Sequence, residues 1–168
     1  MSTSFDFDEA EAFTTGTIGE PGQRVFYLQV RAGGVVTSFR LEKGQVTALA
    51  EHMARALADM PATDPSRDDM DLVEPVVAEW LVGDMGLGRD EEGDRLVVMA
   101  QELVPDDDPD PAREPAAARV VLTREQAGAF VARAVRIIAA GRPRCRLCGQ
   151  PKDPDGHVCP RHNGHRTR

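Results

Sequence analysis

Two rhythms of apolar residues divide the chain. Strand-like runs, Val25-Phe26-Tyr27-Leu28 and Val35-Val36-Thr37-Ser38-Phe39-Arg40-Leu41, lead into a stretch where Val46, Leu49, Met53, Leu57 and Met60 recur at spacings of three and four. That spacing places all five on one face of a helix. The same succession then returns. Leu96-Val97-Val98-Met99 and Val120-Val121-Leu122 precede Ala127, Phe130, Ala134, Ile137 and Ile138, which share a second helical face. Thr123 and Gln126 have the spacing of a capping box, which starts this helix near residue 124, and Gly141 with Pro143 ends it.

The parallel between the halves extends to motifs. Phe13, Gly16-Thr17-Ile18-Gly19 and an Arg24-led strand answer to Trp80, Gly83-Asp84-Met85-Gly86 and an Arg95-led strand. A Gln stands four residues after the last strand leucine in both, at Gln45 and Gln126. Neither helix can bury its face alone. The expectation is an α+β fold over residues 1–141, with two β-β-β-α repeats at about 5–60 and 75–141. They form one antiparallel sheet with both helices on one face. Residues 61–73 and 105–117 read as acidic loops, and the second, dense in Asp and Pro, reads as mobile. The first ten residues or so read as loose, although Phe5 and Phe7 alternate like an edge strand. The glycine-rich segment 16–22 leads into a strand rather than a helix, so it reads as a hairpin turn and not a phosphate loop.

Beyond residue 141 the apolar pattern stops and different chemistry begins. Residues 142–168 contain Cys145-Arg-Leu-Cys148-Gly149 and, with ten residues intervening after Cys148, Cys159-Pro-Arg-His162. Two thiolates on a C-x-x-C-G turn can face one ion, and four donors in two such knuckles suit tetrahedral zinc. Spacing leaves the fourth ligand open. His162 completes a second knuckle, whereas His157 lies two residues before Cys159 and points the same way on an extended strand. A segment so poor in apolar residues needs the metal for its folding energy. Four candidate donors plus a spare favour a closed structural knuckle over a catalytic zinc. All three cysteines of the chain lie here, which fits a metal in a reducing compartment better than a disulfide framework.

Charge sharpens this division. The tail carries seven basic residues against Asp153 and Asp155, a net +5, while the rest of the chain carries −13. Arg144, Arg146, Arg161, Arg166 and Arg168 are therefore candidate contacts for phosphates or an acidic partner. No apolar run reaches the length of a membrane span and no targeting signal opens the chain, so a soluble cytoplasmic protein is expected.

The motifs F-x-x-G-T-I-G-E-P-G-Q-R-x-F-x-L-Q at 13–29, L-E-K-x-Q at 41–45 and C-x-L-C-G-x-P-x-D-P-D-G-H-V-C-P-R-x-N-G-H-R at 145–166 resemble the DUF3090 family of uncharacterised actinobacterial proteins. The resemblance covers nearly the whole chain. It implies Cys145, Cys148, His157 and Cys159 as the ligand set, because relatives carry other residues at the position of His162. It brings no activity with it.

No serine lies in a nucleophile elbow, and His52 reads as a residue at the boundary of the first helix's apolar stripe. The leading expectation is thus a non-enzymatic, zinc-containing interaction or adaptor protein with a protein partner. A nucleic-acid-binding protein using the basic tail is the alternative, and an enzyme with a pocket between the repeats is the third.

Overall fold

The computed structural model describes residues 2–65, 70–90, 92–108, 110, 112–141, 143–152 and 156–161. The elements run β1 Phe5–Phe7, β2 Ala12–Ile18, β3 Val25–Ala32, β4 Val35–Leu41, α1 Lys43–Ala58, β5 Ala78–Arg89, β6 Leu96–Glu102, β7 Ala117–Leu122 and α2 Arg124–Ala139. After β1, the order strand-strand-strand-helix occurs twice. The fold is α+β, with one seven-stranded sheet ordered β1-β7-β6-β5-β4-β3-β2.

The sheet is mixed, which corrects the antiparallel expectation. Hairpins pair antiparallel within each unit. β4 and β5 are joined through a helix, and a helical crossover returns the chain in the same direction, so they pair parallel. The β1–β7 pair is parallel too, and the N-terminal residues read as loose form this ordered strand.

Connection length forces the sheet to curl. Laid flat, the six gaps from β1 to β2 would span about 29 Å. Only residues 8–11 separate Phe7 from Ala12, a reach of about 18 Å. The sheet bends until the Phe5 ring of β1 meets Phe39 of β4, with centroids 5.7 Å apart. The concave side holds the core. Phe13, Leu28, Phe39, Leu96 and Val98 from the strands are buried there with Val46 and Met53 of α1 and Phe130 and Ala134 of α2.

The second helix begins as the sequence suggests, with the Thr123–Gln126 capping box, and the first proves to have one as well, Glu42 with Gln45. Each glutamine also reaches into the other unit. Gln45 Nε2 donates to the Val82 and Gly83 carbonyls of β5, and Gln126 Nε2 donates to the Ala10 carbonyl just before β2. The shared glutamine therefore both starts a helix and stitches the halves together.

The motif correspondences read from the sequence do not survive in register. Aligning the hairpins on the leucine before each helix, Leu41 and Leu122, matches Phe26 with Leu96 and Gln29 with Met99. Their partners then match Gly16 with Gly88 and Thr14 with Gly86, not Gly16 with Gly83. The cause is β5. It is one long strand with a register shift between Val82 and Met85, where the first unit has the two short strands β1 and β2.

Neither acidic connection is idle. Leu72 packs on Gly16, Gln29 grips the Val73 N–H and carbonyl with its amide, and Arg133 of α2 pairs with Asp71 at 2.8 Å. Residues 70–73 thus strap the outer face of β2 and β3. Among the described residues of the loop between β6 and β7, one arginine gathers two carboxylates. Arg113 within it binds Glu102 bidentately and Asp108 at 3.0 Å. This guanidinium, overcoming desolvation and aided by Ser2 and the Ala116 N–H, holds the Glu102 carboxyl at about 2.

Candidate metal centre

The tail has almost no regular structure, so short backbone contacts arrange its donors. Lys152 N–H donates to the Pro143 carbonyl and Cys145 N–H to the Gln150 carbonyl, drawing residues 143–152 into a narrow loop. At its tip the Gly149 N–H returns to the Cys145 carbonyl. Gly149 has φ +74°, a left-handed conformation that glycine adopts without strain. The turn brings Cys145 and Cys148 to one side. From the second half, His157 and Cys159 point together while Val158 between them faces solvent at 89% exposure, as extended backbone requires.

Cys145, Cys148, His157 and Cys159 converge, with one ligand atom of each within 4.8 Å of all the others. Cys145 Sγ lies 3.8 Å from Cys159 Sγ, and Cys148 Sγ lies 3.3 Å from His157 Nε2. Two thiolates about 2.3 Å from one tetrahedral zinc stand about 3.8 Å apart, so the donor set fits such an ion in both chemistry and spacing. Backbone N–H groups prepare it. The Cys148 and Leu147 amides aimed at Cys145 Sγ bring that thiol down to about 6, which favours the thiolate a metal needs. At Cys148 the Gln150 amide pulls the same way, but desolvation and the neighbouring sulfurs of Cys159 and Cys145 outweigh it and the thiol is raised.

His162, the spacing-based alternative, lies outside the described residues, as do Arg166 and Arg168. The other tail arginines part ways. Arg161 Nη1 donates to the Leu147 carbonyl at 3.1 Å, and Arg144 Nη1 reaches the Gly149 carbonyl at 3.5 Å, so both turn back on the knuckle. Arg146 is exposed. Sequence reasoning missed the backbone-bracing role of Arg161, because nothing in its spacing announces a carbonyl fourteen residues away. His52 is exposed on α1 beside a groove formed with Gly83, Asp84 and Gly86.

Among the described residues no helix is long and apolar enough to cross a membrane. Comparison with known families matches residues 5–159 to the family model described as "Protein of unknown function (DUF3090)". No curated protein matches the chain.

Proposed function

The chain belongs to the DUF3090 family, and from that premise we propose that it is a non-enzymatic, zinc-containing interaction protein whose tail is a structural zinc knuckle built by Cys145, Cys148, His157 and Cys159. The observation that supports this most is the convergence of three thiols and one imidazole within 4.8 Å. A thiolate-rich set of four fills a tetrahedral shell, and soft sulfur ligands favour zinc over magnesium or calcium. Bound zinc would supply the folding energy that the apolar-poor tail lacks.

The tail then serves as a rigid presenter of side chains. Leu147 stands 52% exposed at the tip of the knuckle with Val158 beside the second pair of ligands. Apolar groups held exposed to water on a braced turn suit a protein partner. Arg144 and Arg161 each spend a guanidinium N–H on the knuckle's own carbonyls, which supports a bracing role over phosphate contact.

Two measurements test the reading. Purified chain is expected to hold one equivalent of zinc by elemental analysis, and Cys148→Ser to lose it while the far-ultraviolet circular dichroism of the body is kept. Labelled oligonucleotides titrated into zinc-loaded chain are expected to show no salt-sensitive binding. Absence of zinc overturns the metal assignment. Salt-dependent binding that vanishes with Arg144→Ala and Arg146→Ala would transfer the tail to nucleic acid.

A further inference from the structure

The two halves of the sheet bury equivalent strands unequally. In β2, residues 12–16 are buried without interruption, whereas in β5 the matching stretch leaves Asp84, Gly86 and Gly88 exposed. The strap accounts for the difference. A Cβ at Gly16 would lie 2.5 Å from Leu72, while at its counterpart Gly88 it would meet nothing within 4 Å. Gln29, which grips the strap, is 1% exposed, and its counterpart Met99 is 42% exposed. β5 pairs with β4 only around Ala78 and Leu81 and with β6 from Val82 onward. Among the described residues, 84–88 therefore have no strand on the side away from β6. An open groove of about 670 Å³ lies over Gly88, Val97, Met99 and Val121, and residues 83–87 of the same strand line a second groove beside His52.

We propose that this surface is a peptide-binding track that receives an extended segment of a partner polypeptide, seated as residues 70–73 are seated on the first unit. The chain itself supplies the template. Over Gly16 the strap places a leucine side chain on a glycine floor, and the second unit offers the same floor at Gly88 with Val97, Met99 and Val121 beside it and a rim of mixed arginines and carboxylates around them. Charge specifies the occupant further. In the first unit Asp71 of the strap meets Arg133, and β2 carries the uncharged Ala12. At the equivalent places the open track has His52 and Asp84. The local charge is inverted, so the occupant carries a basic residue where the strap has Asp71, followed by a leucine-sized apolar residue over Gly88. Specificity for a partner thus arises from a change of sign at a surface whose shape is retained.

This surface lies on the body and does not rest on the zinc assignment. The test uses a fluorescein-labelled synthetic peptide of residues 64–77 and the same peptide carrying Asp71→Lys, titrated into the full chain and followed by anisotropy. The Asp71→Lys peptide is expected to saturate below about 1 mM, and the unaltered peptide to bind about tenfold more weakly. Gly88→Leu, whose Cβ meets nothing within 4 Å and whose side chain fills the floor, is expected to weaken binding about tenfold or more, and Asp84→Lys to act likewise. Circular dichroism checks that each variant is folded, and Met99→Lys serves in place of any that is not. Excess chelator is expected to leave binding unchanged. The proposal is overturned if neither peptide saturates, if the folded track variants bind as well as the parent chain, or if chelator abolishes binding.

Discussion

At the scale of single residues, Gly16 and Gly88 are the most instructive pair. They occupy the same register of equivalent hairpins, yet only Gly16 has a side chain resting on it. Gly16→Ala forces Leu72 off the strand and is expected to cost about 1–2 kcal/mol, from overpacking in a fitted contact. Gly88→Ala is expected to be neutral or to stabilise by about 0.5 kcal/mol, since alanine restricts the unfolded chain and its Cβ meets nothing. Denaturant unfolding of both variants checks the contrast, and equal effects would show that the strap does not press on the first unit. The three cysteines of the candidate site are legible in sequence because thiolates on a C-x-x-C-G turn have one dominant use. The His157 position came from resemblance, and the geometry seats its Nε2 3.3 Å from Cys148 Sγ.

At the scale of elements, two glutamines and one arginine tie together segments that are separate in the chain. Gln126→Leu removes half of a capping box and a donor to the Ala10 carbonyl at once. It is expected to destabilise the chain by about 1–2 kcal/mol, against a few tenths for an exposed surface change, and hydrogen exchange should speed first around residue 10. Glu102 gives the pH dependence. Its folded value, about 2, lies below its ordinary value of 4.5. Its ionised form therefore stabilises the fold fully above pH 4.5, and that contribution drains away as pH falls toward 2. Glu102→Gln is expected to lower stability by about 1–3 kcal/mol at neutral pH and to flatten the acid limb of the unfolding curve. An unchanged acid limb would contradict the Arg113 pairing. The loop looked unstructured in sequence because its composition is acidic and proline-rich. A single arginine ties Glu102 to Asp108 within it, and composition does not reveal which carboxylates one guanidinium will reach.

At the scale of the whole molecule, helical faces, caps and strand-helix order were legible because periodicity and capping chemistry are local. Strand direction at the β4–β5 junction, the closing role of β1 and the strap were not. Each depends on contacts between residues far apart in sequence, such as Thr14 with Met70 and Arg133 with Thr15. The same interleaving predicts that neither half stands alone. A fragment of residues 1–60 lacks both the Gln126 tie and the α2 face that buries Phe13, so it is expected to be unfolded by circular dichroism, and mixing it with residues 61–168 to restore the native spectrum. A folded 1–60 fragment would show that the helices serve their own units.

The exchange of covering helices also sets a schedule for synthesis. A ribosome delivers β2, β3 and β4 long before α2, and Phe13 must wait for Phe130, 4.9 Å away in the finished protein. Until that late helix emerges, the nascent first half exposes an apolar surface it cannot cover. Folding is thus deferred until α2 has emerged, and until then the early chain carries exposed apolar surface of the kind that invites aggregation.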